Sequence, residues 1–157
     1  MKFSLICVGK TKHEFVQDGI DFYMKRISKY TKFGWNEIAL PGKGIQGSQI
    51  DVCKKECDLL SATLKGNEHL VLLDETGHTF SSEKFAGFVQ HLMNTEQRNL
   101  VFAIGGAYGF SEEFRKQATT SISLSPMTFP HQLIRIIFLE QFYRAMTILR
   151  NDPYHHG

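Results

Sequence analysis

Cysteine is scarce in this sequence of 157 residues, which contains only Cys7, Cys53 and Cys57. An odd number of cysteines without a framework spacing argues against a disulfide-stapled secreted module and is typical of a reduced intracellular protein. No apolar run approaches the ~20 residues that a membrane-spanning helix needs. The apolar run before Lys10 is also too short for a signal-peptide core. These absences predict a cytoplasmic protein with no membrane partner.

An excess of charge of one sign is also lacking. The chain has 18 lysines and arginines against 16 aspartates and glutamates, which gives a formal charge of +2 at pH 7. With 42% hydrophobic and 22% charged residues, the composition excludes a disordered or low-complexity chain. The length suits one domain, which we place at residues 1–157. Any contact with nucleic acid must come from a local patch.

Several ligand-binding motifs are missing. Cys53 and Cys57 share a helix face, but structural zinc needs four ligands and no second pair exists, so we predict no metal and interpret both thiols as core residues. The glycines after position 104 do not have the G-x-G-x-x-G spacing of a dinucleotide site, and Pro41–Ser48 does not match a phosphate-binding P-loop. No G-x-S-x-G nucleophile elbow occurs either.

Strand-like and helix-like segments alternate along the chain. Capping-box spacing at Thr11–Glu14 predicts the start of the first helix, and Ser111 is a candidate N-cap for a later one. A turn is expected at Asp74–Phe80, followed by a helix from Ser81. The alternation predicts an α/β fold with a mainly parallel sheet. Its strands are expected at residues 2–8, Trp35–Leu40, Leu70–Leu73, Leu100–Ile104 and Ser121–Ser125.

The last predicted helix, His131–Arg150, has no clean polar face. Between Leu133 and Leu149, 12 of the 17 residues are apolar. The helix is therefore either a central core helix or one that packs both on its own sheet and on a second subunit. We favour the second arrangement, because a domain of this size encloses few helices completely.

Two further segments lie where ligands bind in α/β proteins, at the ends of strands. Gly105–Gly109 follows a strand and precedes a capped helix, so its backbone can approach a ligand closely, although a simple tight turn is the alternative. Asp74 and Glu75 also end a strand. For Glu75 a solvated turn is the favoured interpretation, and for Asp74 both interpretations stay open.

Three of the six arginines, Arg135, Arg144 and Arg150, fall on the last helix. Guanidinium groups suit phosphate contacts, and the Tyr154–His155 pair beyond them has rings that could stack on an unpaired base. The alternative is that Glu140 and Arg144 form an ordinary surface pair and that the tail is disordered.

Five ordered segments are similar to the RlmH family of SPOUT-class RNA methyltransferases, and the resemblance covers essentially the whole chain. The segments are Leu72-Leu73-Asp74, Ile104-Gly105-Gly106-x-x-Gly109, Ser123–Arg135, Glu140-Gln141-x-Tyr143-Arg144-Ala145 and Pro153-Tyr154-His155. The resemblance implies a sheet of five or six strands covered by helices on both faces. It also implies a C-terminal trefoil knot over about residues 70–150, which general topology rules would not predict.

The cofactor that the resemblance implies is S-adenosylmethionine, held in the knot. The binding positions carried over from the family are Leu73, Gly105, Ser123, Leu124, Ser125, Pro126, Met127 and Thr128. This chain departs from the family at Pro126, where relatives often carry a basic residue. Proline has no N–H, so a cofactor contact there must use the carbonyl or the ring.

The activity implied by the resemblance is methylation of N3 of a pseudouridine in the helix 69 loop of 23S rRNA, within the assembled ribosome. The family works as a homodimer in which the tail of one subunit completes the site of the other. His155 is then the candidate base for the N3 proton and Tyr154 the second candidate, and Arg135, Arg144 and Arg150 are candidate RNA contacts. His131 is expected near the cofactor or the subunit boundary.

Two alternatives remain at this stage. One is a SPOUT enzyme of the same chemistry that acts on another RNA such as tRNA, although a stronger basic face would then be expected. The other is a non-enzymatic α/β module that binds a nucleotide or a partner protein.

Overall fold

Five parallel strands form one sheet in the computed structural model, which describes residues 1–157. The strands are β1 (Phe3–Val8), β2 (Phe33–Ile38), β3 (His69–Thr79), β4 (Leu100–Ile104) and β5 (Thr120–Ser123). Their order in the sheet is β2-β1-β4-β3-β5. The helices are α1 (Glu14–Ile27), α2 (Gln49–Ser61), α3 (Ser82–Thr95), α4 (Glu112–Arg115) and α5 (Leu133–Leu149). The predicted α/β fold with a parallel sheet is confirmed.

Apolar side chains project from both faces of the sheet, as expected of parallel strands that are covered by helices on each side. In β1, Phe3, Leu5 and Cys7 point to the layer that contains α1, α3 and α5. Ile6 and Val8 point to the opposite layer with α2 and α4. The alternation follows from the two-residue period of a strand, and it produces one apolar cluster on each face.

Strand β3 is longer than predicted, because it continues to Thr79 through the segment expected to be a turn. Its pairing with β5 shifts register between Leu73 and His78, which is the signature of a bulge. Gly77 allows the backbone of β3 to approach β5 closely at the bulge, since a Cβ there would lie 2.6 Å from the backbone of Ile122. The prediction that the strand ends before a turn at Asp74–Phe80 is therefore wrong, because the strand continues through this segment with a bulge.

The start of α1 also differs from the prediction. Its N-cap is His13, which makes no side-chain capping bond, and the hydroxyl of Thr11 donates instead to Glu37 on β2. A tertiary partner has replaced the local capping box at Thr11–Glu14. Later helix starts follow local rules, because Ser81 and Ser111 accept the backbone N–H three residues ahead.

Helix α5 lies on the sheet between α1 and α3. Phe138, Leu139 and Phe142 are fully buried there. One stripe of the helix faces outward, where Leu133 is 36% exposed and Ile137 is half-buried. A single chain thus encloses most of the helix, and the predicted second subunit would cover only this stripe. No helix in the structure has the length and apolar character to cross a membrane.

Candidate functional site

A cavity of about 480 Å³ opens at the carboxyl ends of three adjacent strands. Leu73 of β3, Ile104 of β4 and Ser123 of β5 each contribute to its wall. Ligand sites of parallel α/β sheets form at this edge, because the loops that leave the strands converge there. The volume is within the range of small-molecule and cofactor sites.

The glycine loop after β4 forms one wall. A Cβ on Gly105 would lie 2.6 Å from the carbonyl oxygen of Gly109, and Gly109 itself has a left-handed φ of 71°. A Cβ on Gly106 would lie 2.1 Å from Oε2 of Glu56, which packs beneath the loop. The segment is therefore a tight turn that also lines the cavity. The interpretation as a simple turn and the interpretation as a candidate ligand-binding loop are compatible.

Asp74 is buried in the wall rather than solvated. Its carboxylate accepts hydrogen bonds from the backbone N–H of Thr76 at 3.0 Å and the Thr76 hydroxyl at 2.8 Å, and it pairs with Arg115 of α4. Arg115 also donates to the carbonyl of Phe110 at 3.2 Å. These bonds tie the β3 bulge to the end of the glycine loop. Glu75 is exposed, as expected.

The loop after β5 forms the second wall. The hydroxyl of Ser123 donates to the carbonyl of Ser125 at 2.9 Å, and the Ser125 hydroxyl accepts from the backbone N–H of Met127 at 2.9 Å. Thr128 donates to Glu75 at 3.2 Å and so connects this loop with β3. Short polar side chains thus hold an otherwise irregular loop in one shape.

Seven of the eight predicted cofactor positions line the cavity: Leu73, Gly105, Ser123, Leu124, Ser125, Met127 and Thr128. Pro126 does not, because its ring is exposed outside the lining. A cofactor contact of Pro126 through its carbonyl or ring therefore stays a prediction. His131, expected near the cofactor or the subunit boundary, is part of the lining.

Arg135 is completely buried, which contradicts the prediction that it contacts RNA. Its guanidinium donates to the carbonyls of Val8 at 2.8 Å and Gly9 at 2.9 Å, and to the hydroxyl of Thr11 at 3.0 Å. These acceptors lie where β1 ends. The sequence pattern marked the arginine as an anion ligand, but the fold uses it to satisfy its own backbone.

The C-terminal tail is folded back on its own chain, away from the cavity. Nε2 of His155 lies 2.8 Å from Oε1 of Glu83, and the Arg144 guanidinium contacts Nδ1 of His155 at 3.2 Å. Arg144 also pairs with Glu140 at 2.5 Å, so the pair named in the alternative interpretation is present, but the disordered tail named with it is not. Neither Tyr154 nor His155 lines the cavity of the same chain, and Arg150 is exposed at the end of α5.

The pKa values of three titratable groups in the cavity wall and at the tail are shifted by their surroundings. Burial, together with the positive charges of Arg135 and Lys12, lowers the pKa of His131. Burial and hydrogen bonding to Tyr23 raise the pKa of Tyr154, with Glu140 contributing. The hydrogen bond from His155 lowers the pKa of Glu83 to about 2. His131 is thus kept neutral at pH 7, and the Tyr154 phenol holds its proton.

Two residues of this region were not predicted. Glu56 is buried beneath Gly106, and its Oε2 has no hydrogen-bond partner. Arg115 pairs with Asp74. A signal for Glu56 existed, because it shares the buried stripe of α2 with Cys53, Cys57 and Leu60. The structure contains no group of three or more metal-ligating side chains that could hold an ion.

A parallel sheet with a cavity between a glycine loop and a serine-threonine loop at its strand ends is the arrangement of an α/β protein with a ligand-site architecture. Residues 1–155 match the family model described as "Predicted SPOUT methyltransferase". The chain therefore belongs to the SPOUT methyltransferase family.

Individual relatives match the chain over almost its whole length. It is 44% identical over 156 residues to a protein of Christiangramia forsetii, with 99% of both chains covered. Identity is 47% over 157 residues with a protein of Flavobacterium johnsoniae, again with 99% of both chains covered. For a protein of Geobacter sulfurreducens it is 43% over 156 residues, with 99% of this chain and 100% of the relative covered. All three relatives are named ribosomal RNA large subunit methyltransferase H.

Proposed function

We propose that this protein transfers a methyl group from S-adenosylmethionine to ribosomal RNA of the large subunit. The observation that carries the proposal is the cavity at the ends of β3, β4 and β5, built by seven of the eight cofactor positions. Membership of the SPOUT family and the names of its full-length relatives support the same activity. Ribosomes are the substrate, so the protein acts in the cytoplasm.

The residues of the cavity fit the cofactor. Leu73, Ile104 and Leu124 provide apolar surface for a flat base, while the glycine loop and Ser123–Thr128 expose backbone groups to its polar edge. The exposed carboxylate of Glu75 makes the rim favourable for a cation, whereas the charge of Asp74 is already paired with Arg115. The bound cofactor supplies a methyl group activated on a positively charged sulfur. The protein contributes binding and orientation of both reactants.

For the finer specificity, we propose N3 of a pseudouridine in the helix 69 loop of 23S rRNA, on the assembled ribosome, with a homodimer as the active form. The folded-back tail supports a shared site, because His155 and Tyr154 lie outside the cavity of their own chain. N3 carries a proton that must be lost. His155 suits this task better than Tyr154, whose phenol already holds its proton tightly.

The hydrogen bonds of His155 define what proton acceptance requires. Nδ1 accepts from Arg144 and Nε2 donates to Glu83 in the folded-back tail. Both ring nitrogens are therefore occupied. Acceptance of the N3 proton needs release of the Arg144 contact, after which Glu83 can still orient the ring.

Labelled cofactor tests the proposed function directly. The protein is incubated with labelled S-adenosylmethionine and free rRNA, isolated subunits, whole ribosomes or tRNA, and the modified nucleotide is mapped. We expect label at a pseudouridine of helix 69, with the highest yield on whole ribosomes. Label on tRNA alone supports the other SPOUT activity, and no calorimetric binding at millimolar cofactor supports the non-enzymatic module.

Replacement of His155 tests its role as the base. His155→Ala is expected to lower turnover at least a hundredfold, in the range of general-base contributions, with little change in cofactor affinity. His156→Ala is the matched control, because this neighbouring histidine is exposed. Wild-type turnover in the His155 variant would exclude the assignment.

A further inference from the structure

The loop between β1 and α1 is fastened to the start of α5. The side chain of Gln132, only 8% exposed, accepts from the backbone N–H of Lys12 at 2.9 Å and donates to the carbonyl of Lys10 at 3.2 Å. The buried Arg135 binds the carbonyls of Val8 and Gly9 immediately before this segment. Two side chains of α5 thus fix the backbone on both sides of Lys10.

The two lysines on this fixed loop project into solvent. Lys10 and Lys12 are exposed, and neither takes part in any ion pair of the structure. Glu37, which bonds to this loop through Thr11, also accepts from Arg135. Both ammonium groups are therefore free to meet an anion.

This loop lies beside the mouth of the cavity. His131, next to Gln132 in the chain, is part of the cavity lining. Lys12 is close enough to lower the pKa of His131 through its charge. A nucleic-acid backbone that reaches the cavity past His131 would therefore lie near Lys12.

We propose that Lys10 and Lys12 bind phosphates of the RNA substrate and that Gln132 and Arg135 position their loop. The proposal rests on the proposed function. It assigns phosphate contacts to a loop that is distinct from the predicted RNA contacts at Arg135, Arg144 and Arg150. Lysine suits such a contact, because its ammonium acts as a compact charge that needs no fixed geometry. Phosphate contacts set the register of the nucleic acid without reading sequence. Because the loop backbone is already held in place, less conformational entropy is lost when the contact forms.

The double variant Lys10→Gln/Lys12→Gln tests the phosphate contacts. Its affinity for helix 69 RNA and for ribosomal subunits is measured between 50 and 200 mM salt, at the upper end of which phosphate binding weakens strongly. We expect the Kd at low salt to rise roughly tenfold and the slope of log K against log salt to fall by about 2, one unit per lost contact. Calorimetric affinity for S-adenosylmethionine stays unchanged.

The matched control is Lys2→Gln/Lys65→Gln. It removes the same charge from two exposed lysines at the opposite edge of the sheet, before β1 and β3. We expect RNA affinity close to that of the wild type. An equal loss in both double variants means that only net charge matters, which overturns the proposal.

Gln132→Ala tests the positioning role. Both charges remain in this variant, so we expect RNA affinity to fall while the salt slope stays that of the wild type. A variant that melts like the wild type yet binds RNA with unchanged Kd shows that the clamp is irrelevant.

The outcomes separate this proposal from the proposed function. If the wild type methylates RNA and the Lys10/Lys12 variant binds and reacts equally well, only the proposal about the loop is wrong. If the wild type neither binds nor methylates any RNA, the proposed function is wrong and the loop proposal falls with it. Loss of binding to subunits with unchanged binding to isolated RNA assigns the lysines to a ribosomal protein and also overturns the proposal.

Discussion

Arg135 and Glu56 are both buried charged residues, but their surroundings differ. Arg135 makes three hydrogen bonds of 3.0 Å or less through its terminal nitrogens, and only its Nε lacks a partner. Glu56 packs against Gly106 with Oε2 unpartnered, and burial raises the pKa of its carboxyl above the ordinary value of 4.5. At this scale, hydrogen-bond partners decide whether a buried charge supports the fold or weakens it.

Replacement of Arg135 should destabilise the protein. In Arg135→Met the carbonyls of Val8 and Gly9 lose their donor inside the fold, which costs about 3 kcal/mol at 1–3 kcal/mol for each buried group left unpaired. Urea unfolding measures the change. Arg150→Met, at an exposed position, is the control and should stay within about 0.5 kcal/mol of the wild type. Equal stability of the two variants contradicts the structural role.

Glu56 should make stability depend on pH. Because its folded pKa is raised, the unfolded chain releases this proton at lower pH, so the residue's contribution to stability falls as pH rises above about 4.5. Glu56→Gln removes this titration, and its stability relative to the wild type should increase between pH 4 and pH 8. Thermal melts across this range measure it, with the exposed Glu113→Gln as control. A constant difference across the range contradicts the interpretation.

At the scale of elements, local rules succeeded where an element depends on its own residues. β4 was predicted at Leu100–Ile104 and lies there, and the Ser111 cap of α4 is present. The errors are at Thr11, which bonds to β2 instead of capping α1, and at β3, which re-pairs with β5 after the bulge. In both, a partner distant in sequence determined the backbone.

The glycine loop gives a prediction at this scale. Gly105→Ala would place a Cβ 2.6 Å from the backbone carbonyl oxygen of Gly109, so the loop must move and the cavity wall with it. We expect affinity for S-adenosylmethionine to fall at least tenfold by calorimetry, about 1.4 kcal/mol. In Gly87→Ala, on α3, the new Cβ meets no atom within 4 Å. This control should gain up to about 1 kcal/mol of stability without a change in affinity. Wild-type affinity in Gly105→Ala would contradict the role of the loop.

At the scale of the whole molecule, the cavity and the tail of one chain are separate. Helix α5 carries an outward stripe with Leu133 exposed, and the neighbouring α1 exposes Phe15 at 65% and Phe22 at 47%. Large exposed apolar side chains on adjacent helices are typical of a subunit interface. The homodimer, the single domain over residues 1–157 and the knot over about residues 70–150 stay predictions. Sedimentation at micromolar concentration should show a dimer, and a monomer would count against the shared site.

Mixing two impaired variants, at a cofactor concentration too low for the cavity variant to turn over, tests whether the tail of one chain serves the cavity of the other. The His155→Ala protein keeps an intact cavity, and the Gly105→Ala protein keeps an intact tail. If the site is shared, each heterodimer has one complete site, so an equal mixture that exchanges subunits should recover about a quarter of wild-type turnover. If each tail serves its own cavity, mixing restores nothing.

The sequence by itself determined the alternation of strands and helices, the apolar character of both sheet faces and the loops that build the cavity. These features depend on periodicity and on residues that act where they stand, such as the glycines at positions 105 and 109. Only the tertiary structure decided the burial of Arg135 and the position of the tail. Whether an arginine contacts solvent or a buried carbonyl depends on residues that here are more than a hundred positions away in the chain. A local sequence pattern gives no information about such distant partners.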